Sequence, residues 1–142
     1  AGFTESEIVT LASIVDEETD NEAEMPKIAG MYINRLHLNM PLQADPTVKF
    51  ATKNFTAHRI YQKWLTIDNP YNTYKYRGLP PGPIRIPSVA AIDAVLNYVH
   101  HDYIYMCAKE DFSGTHNFAK TYEEHQKNAA KYAKALNEHG IN

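Results

Sequence analysis

The hydrophobic positions near the start of the chain recur with the spacing of a helix. Apolar side chains lie three or four residues apart at Ile8, Leu11, Ile14 and Val15. This spacing is typical of an amphipathic helix with one buried face. Thr4 and Glu7 form a capping-box pattern just before it, so we predict a helix that starts there and ends near Glu18.

Glu18 is the acid of this helix that shares the apolar face. On a wheel of 100° per residue with Ile8 at zero, the apolar stripe covers roughly 240° to 360° and Glu18 falls at about 280°. Asp16 falls near 80° and Glu17 near 180°, which places both of them off the stripe. A carboxyl held against apolar surface has a raised pKa and suits a proton donor at neutral pH. The pattern alone is also compatible with a Glu18 that is exposed to solvent at the frayed end of the helix.

Two further helices follow from the pattern. Asn21 and the acids after it open a helix that runs to about Leu38, with Pro26 in its first turns. Its predicted inner face consists of Ile28, Met31, Tyr32, Leu36 and Arg35. Ser88 caps a later helix over residues 89–97, which we expect to turn Val89, Ile92 and Leu96 inward.

The last third of the sequence predicts a hairpin and a terminal helix. Residues 103–108 are β-branched and aromatic, which is typical of a strand. Residues 115–119 are a weaker candidate for its antiparallel partner, across a turn that contains Ser113 and Gly114. Thr121 and Glu124 form a second capping box that opens a helix to about Glu138. These elements predict an α+β fold, with helices at both ends and a small antiparallel sheet.

Between these parts, residues 39–87 form a long segment rich in Pro, Asn, Gly and Tyr. Short helical turns are expected after Asp45-Pro46 and over residues 60–65, and the rest is irregular. So much irregular chain in a compact domain favours a functional role, here the wall of a cleft. Asp45 before Pro46 is equally typical of an ordinary helix cap. The alternating aromatic and amide groups of residues 69–74 are typical of a sugar site and also of an ordinary loop.

Composition limits the functional classes. The 142 residues are 44% hydrophobic, enough for one core, so we expect a single domain over residues 1–142. The net charge of −3 argues against nucleic acid as a partner. No stretch reaches the apolar length of a membrane span. Cys107 lies in an apolar run and is expected to be a small buried hydrophobe. His116 is a residue that could face a cleft, but the histidines have no zinc-ligand spacing, and we expect no metal and no cofactor.

The chain resembles the YceG-like (MltG-like) endolytic murein transglycosylases. The resemblance is carried by five ordered blocks, ASIVDEET (12–19), INRL (33–36), PLQADPTV (41–48), PYNTY (70–74) and GLPPGPI (78–84). Residues 102–105, residues 116–118 and His125 also resemble that family. The resemblance implies an extracytoplasmic enzyme that cuts within peptidoglycan glycan strands and leaves 1,6-anhydromuramyl ends. It also implies an N-terminal membrane anchor and a small LysM-like domain outside these residues, so we expect an excised catalytic domain.

The resemblance assigns roles to individual residues. The second acid of the family's acid–basic–acid run is catalytic and matches Glu18, whereas Glu17 replaces the usual basic residue. The added negative charge is expected to raise the pKa of Glu18 further. The resemblance also implies a substrate-binding set, Gln43, Asp45, Tyr71, Asn72 and Tyr74. The implied partners are glycan strands and peptidoglycan synthases.

The implied chemistry needs only one carboxyl group, whereas a hydrolase needs two. Glu18 would protonate the glycosidic oxygen, and the C6 hydroxyl of the same muramic sugar would then attack. One alternative is a lysozyme-type hydrolase with Asp45 as second carboxylate, and another is a non-catalytic glycan-binding module. A pyridoxal-phosphate lyase would need a phosphate cradle, and the sequence contains no convincing one.

Overall fold

The computed structural model describes residues 2–53 and 62–140 of the chain. Within these ranges, five α-helices and two strands follow in the order α1 (Glu5–Glu18), α2 (Met25–His37), α3 (Asp45–Thr52), α4 (Val89–Leu96), β1 (Tyr105–Ala108), β2 (His116–Ala119) and α5 (Tyr122–Glu138). A 3-10 helix at Gln62–Thr66 precedes the long loop that leads to α4. The predicted α+β class is therefore confirmed. Of the helical turn predicted over residues 60–65, residues 60 and 61 lie outside the described residues.

The capping box of α1 is present. The Thr4 hydroxyl accepts a hydrogen bond from the Glu7 N–H at 3.1 Å, and the Glu7 carboxylate accepts one from the Thr4 N–H at 2.9 Å. The prediction that Asp16 lies off the buried face is wrong. Asp16 is only 9% exposed, and its carboxylate accepts a hydrogen bond from the Ser88 N–H at 2.7 Å. The segment before α4 covers this second side of α1, which a single-stripe wheel does not anticipate.

Helix α2 starts later than predicted from Asn21 and the acidic residues after it. Residues 21–24 form a turn, Met25 is the first helical residue, and Pro26 follows in the first turn, where its missing N–H costs nothing. Glu24 precedes the helix without a side-chain cap, because its carboxylate binds His116 instead. The predicted inner face of α2 is otherwise confirmed, with Leu36 only partly buried and Ile33 added to the buried set.

The predicted inward face of α4 is wrong at two positions. Val89 is 75% exposed and Leu96 is 57% exposed, while Ile92 is partly buried. The residues that face the core are Ala91, Ala94 and Val95. Helix α4 packs against both α1 and α2. Since its residues are apolar on almost every side, periodicity could not choose the face, and small alanines allow the closer helix approach.

The hairpin and the last helix agree with prediction. β1 and β2 pair antiparallel, with Tyr105 opposite Ala119 and Ala108 opposite His116. Ile104 extends the pairing by one hydrogen bond from its N–H to the Ala119 carbonyl at 3.1 Å. The hydroxyl of Thr121 caps α5 by accepting from the Glu124 N–H. Helix α5 packs on both strands.

The hydrophobic core lies where α1, α2 and α4 meet. It is built from buried side chains of those helices, with Leu42 and Ala44 from the loop before α3. Ile14 and Ile28 are fully buried within it. Among the described residues, no helix combines the length and the apolar character needed to cross a bilayer.

Candidate active site

A cavity of about 370 Å³ opens between the end of α1, the inner face of α2, the start of α3 and the sheet. Most of its polar wall comes from nine side chains, Glu18, Tyr32, Arg35, Gln43, Asp45, Lys49, Tyr74, His116 and His125. A second cavity of about 240 Å³ adjoins it and shares Glu17, Pro46 and Lys49 with it. The two cavities therefore lie side by side past the end of α1, and we refer to them together as the groove.

Glu18 is the last residue of α1, and its half-buried side chain lines the larger cavity. The pKa of Glu18 is raised to about 8, mainly by burial and to a smaller extent by the nearby charges of Asp45 and Glu17. The Tyr32 hydroxyl and Lys49 oppose that rise without cancelling it. The partial negative charge at the end of a helix also disfavours a carboxylate there. At neutral pH Glu18 therefore holds a proton, as the apolar stripe predicted.

Tyr32 fixes the orientation of this carboxyl group. Its hydroxyl donates a hydrogen bond to Glu18 Oε1 at 2.9 Å. Because Oε1 accepts that bond, Oε2 is the oxygen better placed to carry the acidic proton of Glu18. Tyr32 is itself buried on the inner face of α2, and burial raises the pKa of its hydroxyl, so it remains a donor.

Replacing Tyr32 with Phe should raise the pKa of Glu18 above its value of about 8, since the hydroxyl now stabilises the charged form. A carboxyl ¹³C NMR titration of Glu18 would measure this. Tyr122→Phe is the matched control, because Tyr122 is 58% exposed and lies outside the residues that line the cavity. An unchanged Glu18 titration in Tyr32→Phe would contradict the role given to the hydroxyl.

Asp45 and Tyr74 form a second pair at the cavity wall. The Tyr74 hydroxyl donates to Asp45 Oδ1 at 2.5 Å. Desolvation raises the pKa of Asp45, although Tyr74 and Lys49 pull it down. Asp45 is the first residue of α3, and Ala44 occupies the cap position. The alternative interpretation of Asp45 as a helix cap is therefore wrong, and its carboxylate is available to the cavity.

Gln43 reaches the cavity from an unusual backbone position. Its φ of +50° lies in the left-handed region, which non-glycine residues seldom occupy. The Gln43 N–H donates to the Thr73 carbonyl at 3.1 Å, and its side-chain Oε1 accepts from Arg35 Nη2 at 3.3 Å. The structure thus brings together Glu18 and three of the predicted substrate-binding residues, Gln43, Asp45 and Tyr74.

Tyr71 and Asn72 do not line either cavity. The Tyr71 ring packs on Phe50 at 4.8 Å between ring centroids, and Phe50 lines the smaller cavity. Asn72 is fully buried, and its side chain donates to the carbonyls of Leu65 and Ile67. Residues 78–84 belong to the long segment that we expect to form the wall of a cleft, and Ile84 lines the smaller cavity.

The far end of the larger cavity is lined by the sheet and α5. His116 Nδ1 lies 2.6 Å from a Glu24 carboxylate oxygen, and His125 stacks on Tyr105 at 5.1 Å between ring centroids. Cys107 is half-buried rather than buried, and burial raises the pKa of its thiol to about 11, so it stays protonated at neutral pH. No cluster of three potential metal ligands occurs among the residues that the structure describes.

The sequence interpretation missed cavity roles for Tyr32, Arg35 and Lys49. Tyr32 and Arg35 were predicted to face inward, but only as parts of a mixed helix face. Each is a polar group on an otherwise apolar stripe, which is the same signal that singled out Glu18. Lys49 carried no such signal, because the length of α3 was not predicted.

Three comparisons relate this chain to known proteins. A family model described as the YceG-like family matches residues 1–131. The chain is 43% identical over 131 residues to the endolytic murein transglycosylase of Bacillus subtilis (strain 168), which covers 92% of this chain and 36% of that protein. It is 34% identical over 134 residues to the endolytic murein transglycosylase of Streptococcus pneumoniae, covering 92% of this chain and 24% of that protein.

A solved structure is similar as well. The 2.6 Å crystal structure of a yceG-like protein from Listeria monocytogenes matches with a TM-score of 0.78 and 39% identity, over 84% of this chain and 38% of that chain. This chain therefore spans well under half the length of each of these three relatives.

Proposed function

This chain belongs to the YceG-like family, and on that premise we propose that it is a lytic transglycosylase domain acting on peptidoglycan. The substrate bond is the one between a muramic sugar and the next glucosamine within a glycan strand. The observation that carries the proposal is the Glu18 carboxyl, which lines an open cavity with a pKa raised to about 8. The names of the curated relatives support the same activity.

Glu18 acts first as acid and then as base. Its Oε2 proton passes to the glycosidic oxygen as the bond from that oxygen to the muramic C1 breaks. The muramic C6 hydroxyl oxygen then forms a bond to C1, and its proton returns to Glu18. No water is consumed, because the attacking hydroxyl belongs to the substrate and is already in place. The Tyr32 hydroxyl stabilises the carboxylate that exists between the two proton transfers.

An endolytic enzyme needs room for sugars on both sides of the cleaved bond. The two adjoining cavities meet at Glu17, Pro46 and Lys49, next to Glu18. The larger cavity has room for sugars on the side of the sheet, and the smaller one has room past α3. This groove supports cleavage within a strand rather than only at its end.

Digestion of nascent, uncross-linked glycan strands with product masses read out tests the proposal directly. We expect 1,6-anhydromuramyl ends. Products heavier by one water would instead indicate hydrolysis, and intact strands after long incubation would indicate a glycan-binding module.

A lysozyme-type hydrolase is the second candidate, because Asp45 lines the same cavity and its charge influences Glu18. The two functions differ in what Asp45→Asn does. In the lytic mechanism Asp45 lines the groove and helps to raise the pKa of Glu18, but it transfers no proton. We therefore expect the variant to keep anhydro products, with its loss of rate at alkaline pH beginning at a lower pH than in the wild type.

Activity of Asp45→Asn from pH 5 to 10 is the measurement. In the hydrolase Asp45 would be the second essential carboxylate, and we expect its loss to reduce the rate about a hundred-fold or more at every pH. Asp93→Asn is the matched control, since Asp93 is exposed on α4. That control should follow the wild-type profile.

We propose an extracytoplasmic site of action, because peptidoglycan is assembled outside the cytoplasmic membrane. Anchoring to that membrane and contact with peptidoglycan synthases stay predictions of the family resemblance. The net charge of −3 agrees with a partner other than nucleic acid.

A further inference from the structure

We propose that Arg35 is a positioning residue that holds the Gln43 carboxamide with both of its N–H bonds directed into the cavity, toward the glycan. The inference rests on the proposed function. It gives a role to a buried cation that the proton transfers do not use. It also specifies what Gln43 offers a substrate, namely hydrogen-bond donors rather than an acceptor.

The guanidinium of Arg35 is held in one plane by backbone carbonyls. Arg35 is 4% exposed. Its Nε donates to the Pro41 carbonyl at 2.9 Å, and its Nη1 donates to the Ile104 carbonyl at 2.6 Å. Two such contacts fix the direction of a planar donor fork. Among the residues that the structure describes, no carboxylate forms an ion pair with Arg35, so this cation is not simply half of a salt bridge.

The fixed guanidinium decides which way the Gln43 amide points. Arg35 Nη2 lies 3.3 Å from Gln43 Oε1. A guanidinium can only donate, so the amide atom that faces it has to be the carbonyl oxygen. The Nε2 amino group is therefore turned away from Arg35, and no described residue accepts a hydrogen bond from it. Gln43 is exposed at the cavity wall, so both N–H bonds are open to the hydroxyl and acetamido oxygens of a sugar.

The backbone conformation at Gln43 indicates that its side chain has a function. Its φ of +50° is strained for any residue with a Cβ. The conformation is locked, because Leu42 and Ala44 on either side are buried and the Ala44 N–H donates to the Thr73 hydroxyl at 2.9 Å. Glycine would fit this position without strain. Backbone strain at a polar residue that lines a cavity is typical of a functional position.

Four variants test the inference on the full chain, namely Gln43→Glu, Gln43→Met, Arg35→Lys and the double variant Arg35→Lys/Gln43→Met, with glycan turnover measured at pH 6, where Glu18 stays protonated. Gln43→Glu keeps an acceptor oxygen facing Arg35 but replaces the NH₂ group with a second acceptor oxygen, so both donors are lost and we expect kcat/KM to fall roughly ten-fold. Arg35→Lys loses the planar set of guanidinium donors, so we expect kcat/KM to fall by a similar factor. The double variant Arg35→Lys/Gln43→Met should lose no more activity than the more impaired of Arg35→Lys and Gln43→Met alone, because both changes remove one shared interaction. Arg77→Lys, at an exposed arginine outside the cavity, is the control.

Full activity in Gln43→Glu would overturn the inference, since an acceptor would then serve equally well. Losses that multiply in the double variant would also overturn it, because Arg35 and Gln43 would then act separately. A purely structural Arg35 would lower the melting temperature without this coupling.

A measurement that does not depend on catalysis separates this inference from the proposed function. In ¹⁵N NMR the Gln43 side-chain NH₂ signals, identified by their absence in Gln43→Met, should be well dispersed in the wild type. In Arg35→Lys we expect these signals at the chemical shifts of a glutamine side chain without a hydrogen-bond partner. If the wild type yields no anhydro products but its Gln43 signals shift in Arg35→Lys, the proposed function is refuted and the role of Arg35 stands. Signals that stay unchanged in Arg35→Lys refute the assignment.

Discussion

Replacing Glu18 with Gln should abolish the release of anhydro ends while the fold persists. Glutamine has nearly the same shape, and its Oε1 can still accept the hydrogen bond from Tyr32. It has no proton of suitable acidity to donate to the glycosidic oxygen. General acid–base catalysis contributes about 10² to 10⁴ in rate, and Glu18 serves both half-reactions, so we expect a loss of at least about a thousand-fold. Product masses and rates on uncross-linked strands would measure it.

The stability of Glu18→Gln should change little at pH 7. With a pKa of about 8, Glu18 is mostly protonated there, so a neutral amide replaces a neutral acid. Circular dichroism melting curves would check this. Glu5→Gln is the matched control, because Glu5 is an exposed acid of the same helix and lines neither cavity. It should retain turnover within a few-fold. Normal turnover in Glu18→Gln would remove Glu18 from the mechanism.

Local signals in the sequence predicted the helix that carries this acid. The Thr4–Glu7 capping box and the apolar spacing of α1 depend on residues within one or two turns of each other, so they can be read without tertiary information. Glu18 was found in the same way, because a carboxyl on an apolar stripe has to meet protein rather than water. Asp16 shows the limit of this reasoning. Its burial depends on a segment about 70 residues away, at Ser88.

The rest of the site depends on contacts that sequence spacing does not encode. Gln43 is oriented by Arg35 and by Thr73, on two other parts of the chain. The face of α4 could not be chosen, because its residues are apolar on nearly every side. The loop over residues 69–74 was expected to offer aromatic and amide groups to a sugar. In the structure Tyr74 reaches the cavity, whereas Asn72 turns into the protein.

Replacing Asn72 with Ala should destabilise the protein by about 3 kcal/mol or more, since buried polar partners left unpaired cost about 1–3 kcal/mol each. Its Nδ2 donates to the carbonyls of Leu65 and Ile67 at 3.1 and 2.8 Å, and its Oδ1 accepts from the Tyr74 N–H at 3.0 Å. Denaturant unfolding would measure the loss, and Asn97→Ala, which removes one exposed bond, should stay within roughly 0.5 kcal/mol of the wild type. Activity should fall too, because the same loop presents Tyr74 to Asp45. An Asn72→Ala protein that unfolds like the wild type and loses only glycan affinity would instead make Asn72 a direct substrate ligand.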